Sequence, residues 1–151
     1  MSTIKIFLEN DLGLLVTRVQ RQLYNASQKF VSAYDLTPDQ CGLIVFIYEN
    51  IDVTPSELSL MLERDKPGTV RLIQKLEKKC LVERRYNRSD QRSYSLYLTR
   101  NGEKMLKVIR AVVKPQIETL FDQVVSGFTD SDINQFKLYL KSAYDNLQKM
   151  K

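Results

Sequence analysis

The hydrophobic residues of the first 34 positions recur three or four places apart, which is the spacing of one face of an α-helix. This stripe consists of Leu8, Leu12, Leu15, Val16, Val19, Leu23, Ala26, Phe30 and Tyr34. The pattern breaks at Asp35-Leu36. Thr37-Pro38-Asp39-Gln40 and Thr54-Pro55-Ser56-Glu57 are typical helix starts, because threonine caps the helix, proline suits its first turn, and Gln or Glu closes a capping box. They predict a second helix that ends near Asn50 and a short third helix over residues 58–63.

A fourth helix is predicted to begin after Asp65, which can cap it, with Lys66-Pro67 in its first turn. The residues predicted to face inward are Thr69, Leu72, Ile73, Leu76 and Cys80. Those predicted to face outward are Lys66, Val70, Arg71, Gln74, Lys75 and Lys78. The polar face of this helix is therefore basic and also carries an amide.

Beyond position 80 the hydrophobic period changes from about 3.6 to about 2, which is typical of β-strands. Residues 81–86 and 93–98 predict two strands, with Tyr94, Leu96 and Leu98 on one face of the second. The polar loop between them carries two arginines. Because two strands alone are marginally stable in water, this hairpin is expected to pack on the preceding helices.

Two more helices are predicted after the hairpin. Thr99 can cap the first of them, Pro115 is expected to kink it, and Gly127 is expected to end it. Its apolar seam consists of Leu106, Ile109, Val113, Ile117, Leu120 and Val124. The segment Thr129-Asp130-Ser131-Asp132 starts the last helix. The seam of that helix consists of Ile133, Phe136, Leu140, Ala143 and Leu147. Such spacings of three and four are typical of packing between helices.

The order of these elements predicts a mainly α-helical fold with a small β-hairpin, in which residues 37–99 form a winged helix-turn-helix. Residues 1–36 and 100–151 are predicted to be a helical dimerisation region within the same intertwined domain. The second helix of a helix-turn-helix fits the major groove of double-stranded DNA, which is about 12 Å wide, and the hairpin loop can reach the adjacent minor groove. The apolar stripes of the terminal helices must be buried against another surface. A single helix-turn-helix also contacts only a few base pairs. Both points favour a homodimer on a pseudo-palindromic operator.

Composition excludes several classes of protein. With 151 residues, 43% of them hydrophobic and 27% charged, the chain has the size and composition of one globular domain. It has no histidine, only two cysteines and no glycine-rich nucleotide-binding motif. We therefore expect no enzyme, no cofactor and no metal site. Because the sequence shows no transmembrane run, export signal or disulfide framework, the expected location is cytoplasmic.

The positive charge of the chain is local. The net charge is +5 overall. Residues 64–92 hold ten basic and four acidic side chains, a net charge of +6, so the other 122 residues sum to −1. A basic cluster confined to one helix and a hairpin loop is typical of a nucleic-acid-binding surface. The alternatives are a solvated basic face and a protein-interaction winged-helix module that no longer binds DNA.

Several motifs resemble those of the MarR family of transcriptional regulators. They are Leu36-Thr37-Pro38-Asp39-Gln40, Asp65-Lys66-Pro67, Leu76-Glu77-Lys78-Lys79 and Leu81-Val82-Glu83-Arg84. Asp90-Gln91-Arg92-Ser93, followed by Leu98-Thr99 and Gly102, is similar to the wing signature of that family. The resemblance implies a homodimeric winged-helix repressor, of a kind often displaced from DNA by a small aromatic acid or by thiol oxidation. It also implies that Arg92 enters the minor groove and that Asp90 holds the wing loop in shape.

The residues predicted to contact DNA lie on the fourth helix and in the hairpin loop. They are Lys66, Gly68, Thr69, Arg71, Gln74, Lys75, Arg88, Asp90, Gln91 and Arg92. Arginine can pair with guanine and glutamine with adenine, so Arg71 and Gln74 are candidates for base contacts. Lys66 and Thr69 lie near the helix start, where backbone N–H groups favour phosphate. Gly68 stands where the family commonly has a hydroxyl residue, and it would allow close approach of the backbone to DNA.

Two further groups of residues are candidates for regulation. Arg18, Arg21 and Tyr34 could bind a small aromatic carboxylate effector, because guanidinium groups pair well with carboxylates and because the resemblance places arginines there. The alternative is that these are solvated basic residues and an ordinary core aromatic. Cys80 stands where the family usually has glycine, and Cys41 lies in the second helix. Each is either a redox-active thiol or an ordinary small side chain, and we favour the second interpretation.

Overall fold

The computed structural model describes residues 11–86 and 93–150. The chain divides into two compact units, Met1–Gln116 and Ile117–Lys151, and each is described by itself. The first unit contains the helix-turn-helix and the hairpin, and the second contains the C-terminal helix. A mainly α-helical fold with a two-stranded hairpin is therefore confirmed.

The two predicted helix starts at Thr37-Pro38 and Thr54-Pro55 are confirmed, although the short third helix spans residues 55–62 rather than the predicted 58–63. Helix α1 spans Leu12–Val31 and is followed by a 3-10 turn at Ser32–Tyr34. Helix α2 spans Pro38–Glu49 and helix α3 spans Pro55–Leu62, and each opens with a complete capping box. These starts are local signals, because each side chain bonds the backbone three residues away.

Helix α4 spans Lys66–Lys78 and follows α3 after a tight turn in which Glu63 is left-handed, with φ of 52°. The side chains that α4 buries are Thr69, Leu72, Ile73 and Leu76. The predicted inward stripe is wrong at one position, because Cys80 is exposed. The four-residue spacing from Leu76 does not place Cys80 on the inward face, because the helix ends at Lys78 and the backbone of Cys80 is left-handed, with φ of 55°.

Strands β1, Val82–Tyr86, and β2, Tyr94–Leu98, form an antiparallel hairpin in which Arg84 is paired with Leu96. A third segment of the chain also pairs with the hairpin, and the sequence did not indicate it. Val53 forms an isolated bridge with Leu96, whose N–H donates to the Val53 carbonyl oxygen at 2.8 Å. The segment before α3 is thereby bonded to the hairpin, which ties the start of the helix-turn-helix to its wing.

The core of the first unit is apolar and draws on most of its elements. Its fully buried members include Val31, Leu43, Ile44, Val53, Leu58, Ile73, Leu76 and Leu96. These side chains come from α1, α2, α3, α4, the segment before α3 and strand β2, so their burial fixes α4 against the other elements. Burial of each such side chain stabilises the fold by about 1.5–3 kcal/mol.

The helix after the hairpin is interrupted by a wider turn. Helix α5 spans Arg100–Val108, a π-helical segment spans Ile109–Val113, and helix α6 spans Lys114–Val124. The sequence predicts one helix kinked at Pro115, and the distortion lies in the turn before that residue. Proline lacks an N–H and its ring crowds the carbonyl four residues earlier, and a π-turn makes room for it.

The second unit ends in helix α7, Asp130–Gln148. Thr129 caps it as predicted, in a capping box closed by Asp132. Gly127, predicted as the stop of the preceding helix, has a φ of 86° and lies just before this cap. No helix within residues 11–86 or 93–150 has the length and apolarity that a bilayer crossing requires.

A matched pair of glycine substitutions tests the packing of α5. A Cβ at Gly102 would overlap the Leu81 carbonyl oxygen, whereas a Cβ at Gly42 in α2 would meet nothing within 4 Å. We expect Gly102→Ala to lower the free energy of unfolding by about 1–3 kcal/mol. Gly42→Ala should raise it by about 0.5–1 kcal/mol, because alanine favours the helix. Urea denaturation measures both, and equal effects of the two variants would contradict the predicted contact.

Candidate nucleic-acid interface

The face of α4 that points away from the core is basic. Lys66, Arg71, Gln74, Lys75 and Lys78 are all exposed, and the last four recur at three- and four-residue intervals. Because residues three and four apart share a helix face, these side chains form one continuous strip. The outward stripe predicted from the sequence is confirmed at these five positions.

The N-terminus of α4 is already occupied by a carboxylate. Asp65 caps the helix by accepting the Gly68 N–H at 3.2 Å. A Cβ on Gly68 would lie 2.5 Å from the same Asp65 oxygen, so the missing side chain makes room for the cap. Glycine at position 68 is therefore needed for the Asp65 cap, which the sequence did not indicate. Its predicted close approach to DNA is a separate expectation.

Thr69 lies near the start of α4 and faces inward. Its side chain is fully buried, and its hydroxyl donates to the Asp65 carbonyl oxygen at 3.1 Å. Its N–H donates to the same carbonyl at 3.0 Å. The predicted inward placement of the Thr69 side chain is therefore confirmed, and its predicted phosphate contact, through the backbone at the helix start, stays a prediction.

The eight basic side chains of residues 64–92 that the structure describes fall into two groups. Four form ion pairs with acids. The pairs are Arg64–Asp39 at 2.5 Å, Lys79–Asp35 at 3.0 Å, Arg84–Glu77 at 2.6 Å and Arg85–Glu83 at 2.8 Å. Lys66, Arg71, Lys75 and Lys78 have no acidic partner within residues 11–86 and 93–150. Asp39 and Asp35 lie outside residues 64–92, so their pairs with Arg64 and Lys79 offset part of the net charge of +6 counted for that segment. The described cations without an acidic partner lie on the exposed face of α4.

The base of the hairpin is bonded to α4 through Arg84. Its guanidinium donates to both carboxylate oxygens of Glu77, at 2.6 and 2.7 Å, and lies over the Tyr94 ring at 4.5 Å from the centroid. The hydrogen bonds that Arg84 donates to Glu77 raise the pKa of Arg84 above its ordinary value. This fork is a bidentate pair, the strongest geometry for such a contact. It couples the direction of the wing to that of α4.

The predicted loop contacts Arg88, Asp90, Gln91 and Arg92 lie outside the described residues. Their roles stay predictions.

The three residues predicted to bind an effector do not lie together in the structure of a single chain. Arg18 and Arg21 lie one turn apart on the exposed side of α1, and Tyr34 is half-buried in the turn that follows this helix. At 1.5 Å per residue, about 15 Å of helix separates Arg21 from the end of α1. The fold of a single chain therefore does not bring these three side chains together. The effector site stays a prediction.

The ion pairs around α4 are the feature of the candidate site that the sequence analysis missed. Asp39 and Arg64 are 25 positions apart, and Asp35 and Lys79 are 44 apart, so no local pattern connects them. A weak signal did exist for Glu77, which is the only acid in the sequence of α4.

Comparison with known proteins agrees with this geometry. A model of the MarR family matches residues 34–93. The transcriptional repressor MprA of Escherichia coli (strain K12) is 31% identical over 141 residues, which cover 92% of this chain and 78% of MprA. The chain belongs to the MarR family. Members of the MarR family are transcriptional regulators, not enzymes.

Solved structures of MarR proteins share the fold. MepR of S. aureus, in a complex with DNA, has a TM-score of 0.80 at 20% sequence identity, covering 90% of this chain and 98% of MepR. A cysteine-to-serine mutant of MarR from E. coli, in a complex with operator DNA, has a TM-score of 0.79 at 22% identity, covering 95% of this chain and 99% of that protein. At these identities the likeness concerns the winged-helix fold itself.

The two thiols of this MarR-family chain lie in different surroundings. Cys41 is buried in α2, and burial raises the pKa of its thiol to about 11, against a smaller opposing effect of Lys79. Cys80 is exposed at the left-handed position after α4. Because the thiolate is the reactive form, Cys41 is protected twice, by its protonation and by its burial.

Thiol accessibility provides a direct measurement of this difference. At pH 8 we expect one thiol per chain to react rapidly with Ellman's reagent and the other only after denaturation, because only Cys80 is exposed. Cys80→Ser should abolish the rapid phase, and Cys41→Ser should leave it unchanged. A rapid phase that survives in Cys80→Ser would contradict the buried position of Cys41.

Proposed function

We propose that this protein is a homodimeric, sequence-specific DNA-binding regulator that represses transcription and is released by a small ligand. The observation that carries the proposal is the exposed basic face of α4, whose opposite face is fixed in the core. A winged helix that binds only protein would not need such a face. One relative is a transcriptional repressor, and two proteins of the same fold were solved in complexes with DNA, which supports the same function.

In this proposal, α4 enters the major groove. Arg71 and Gln74 project from the middle of its exposed face, where a guanidinium can donate to guanine and an amide can pair with adenine. Lys66, Lys75 and Lys78 supply charge to phosphates on either side. Arg88 and Arg92 of the hairpin loop add contacts in the adjacent minor groove, where negative potential attracts guanidinium groups.

A two-fold dimer is proposed from the apolar faces of the terminal helices. Large apolar side chains are exposed on α1, α6 and α7 at helical spacing. They are Leu12, Leu15, Val16, Val19, Phe121, Val124, Phe136, Leu140, Tyr144 and Leu147. Single exposed apolar residues are ordinary, but stripes of them mark surfaces that another molecule covers. A second copy of the chain would cover equivalent stripes by symmetry and would place two α4 helices on successive half-sites.

Repression follows if the bound dimer covers a promoter, and release requires a ligand that binds the DNA-free conformation better. Arg18, Arg21 and Tyr34 stay the predicted contacts of a small aromatic carboxylate. Titration with salicylate, followed by loss of a DNA complex, tests this part of the proposal. Arg21→Ala should then raise the salicylate concentration needed for release, and an unchanged titration would exclude that residue.

The role of the α4 face is tested with DNA selected by the wild-type protein from a random-sequence pool. Arg71→Ala and Gln74→Ala should each weaken binding to the selected duplex by about 1–3 kcal/mol and relax the preference at one base pair. Arg92→Ala should weaken selected and random DNA by similar factors. Lys107→Ala, at an exposed position of α5, serves as a charge control and should change affinity little.

Salt dependence and selection can overturn this part of the proposal. Wild-type binding should weaken steeply between about 50 and 200 mM salt, because phosphate contacts release counterions. A selection that enriches no sequence would remove the claim of specificity, and a salt-independent Kd would remove the claim of DNA binding.

Dimerisation is tested on α7. Leu140→Asp and Leu147→Asp would each place a charge in the proposed apolar interface, and we expect light scattering to show a shift from dimer to monomer. Tight DNA binding should be lost with the dimer. Ser142→Asp, exposed between the two leucines but on the opposite side of the helix by spacing, should leave the mass of the dimer unchanged. A wild-type monomer with nanomolar affinity for the selected duplex would exclude the dimer.

A further inference from the structure

Both ends of α4 are bonded to one short segment of the chain. Arg64, directly before the cap of α4, pairs with Asp39 at 2.5 Å. Lys79, directly after α4, pairs with the Asp35 carboxylate at 3.0 Å and also donates to the Asp35 carbonyl oxygen. Asp35 and Asp39 are four positions apart, Asp35 in the connection between α1 and α2 and Asp39 in the first turn of α2. Two cationic side chains that bracket α4 are thus held by two acids near the start of α2.

This connection is itself firmly attached. Leu36 is buried, and its carbonyl oxygen accepts a hydrogen bond from the Gln28 side chain of α1 at 3.0 Å. Gln40 is buried and closes the capping box of α2 with Thr37 at 3.1 Å. The segment from Asp35 to Asp39 therefore moves with α1 and α2, and it can act as a fixed reference for α4.

The pKa of Tyr24 in α1 responds to the charges of the Asp39–Arg64 pair. Burial raises this pKa, the charge of Asp39 raises it further, and Arg64 and a hydrogen bond with Thr37 oppose the shift.

These pairs are better suited to fixing an angle than to stabilising the fold. Arg64 is 46% exposed and the Asp35 side chain is 93% exposed, so solvent screens both interactions. A helix of 13 residues is about 20 Å long. Restraints at its two ends limit its tilt more effectively than contacts at its middle. Base recognition depends on this tilt, because hydrogen bonds weaken steeply when their angle departs from linearity.

We propose that Asp35 and Asp39 are positioning residues that set the angle of α4 through Lys79 and Arg64, and that they determine operator affinity without contacting DNA. The inference rests on the proposed DNA-binding function. It assigns a role in sequence recognition to two acids, which by charge alone would oppose binding to a polyanion.

The sign of one substitution tests the inference. Asp39→Asn removes a negative charge near the DNA-binding face and leaves Arg64 in place. Electrostatics alone predicts tighter binding to every sequence, because the protein becomes more positive. The positioning role predicts the opposite for the selected duplex, a loss of affinity of about three- to tenfold, with the affinity for random DNA unchanged or slightly higher. Asp35→Asn should act in the same direction but more weakly, because the carbonyl contact with Lys79 remains.

Two controls separate positioning from charge and from unfolding. Glu103→Gln makes the same change of charge at an exposed position of α5 and should not lower affinity for the selected duplex. Asp39→Glu keeps the carboxylate and should restore affinity to within about twofold of wild type. The melting temperature of Asp39→Asn should stay within about 2 °C of wild type, because an exposed pair contributes little to stability.

Each other outcome is informative. If wild-type protein binds no DNA, the proposed function fails and this inference fails with it. If wild type binds but Asp39→Asn binds the selected duplex as well as or better than wild type, the inference alone is overturned. A parallel loss on selected and random DNA together with a lower melting temperature would identify a general structural role and would also overturn it.

Discussion

The structure depends on the burial of one face of α4. Thr69, Leu72, Ile73 and Leu76 lie in the core, so the helix has no freedom to rotate about its axis, and Arg71 and Gln74 must face outward. A rotation that exposed this apolar face would cost several kcal/mol, since each buried aliphatic side chain contributes about 1.5–3 kcal/mol. That energy far exceeds the contribution of any single exposed polar contact. The hydrophobic core thus decides which side chains a ligand of this surface can meet.

The division of the basic residues follows from the same constraint. Side chains at the ends of α4 and at the base of the hairpin lie within reach of acids on neighbouring elements, as Arg64 does of Asp39 and Arg84 does of Glu77. Lys66, Arg71, Lys75 and Lys78, on the exposed face of α4, have no acidic partner in the part of the chain that the structure describes, so they keep their charge available. A count of charges in the sequence treats both groups alike. Only the fold separates cations that organise the surface from cations that can bind a ligand on it.

Local features of the fold could be predicted from the sequence, and features that depend on distant residues could not. The helix starts at Thr37 and Thr54 are encoded within four residues each, and both capping boxes are present. The ion pair between Asp35 and Lys79 joins positions 44 apart, and no periodicity reports it. Periodicity also failed at Cys80, because a helical spacing from Leu76 has meaning only while the helix continues. For the candidate site, the exposed face of α4 was predictable, whereas the ion pairs around it required the fold.

The left-handed backbone at Cys80 has a practical consequence for biophysical work on this protein. A non-glycine residue in that conformation costs about 1–2 kcal/mol, so glycine at this position would add stability while leaving the exposed face of α4 unchanged. The same substitution would remove the exposed thiol, and the remaining one is buried in α2. The resulting background would accept a single engineered cysteine for a fluorophore or spin label. In the proposed dimer, the distance between the two labelled α4 helices could then be followed in solution, with and without nucleic acid or small molecules.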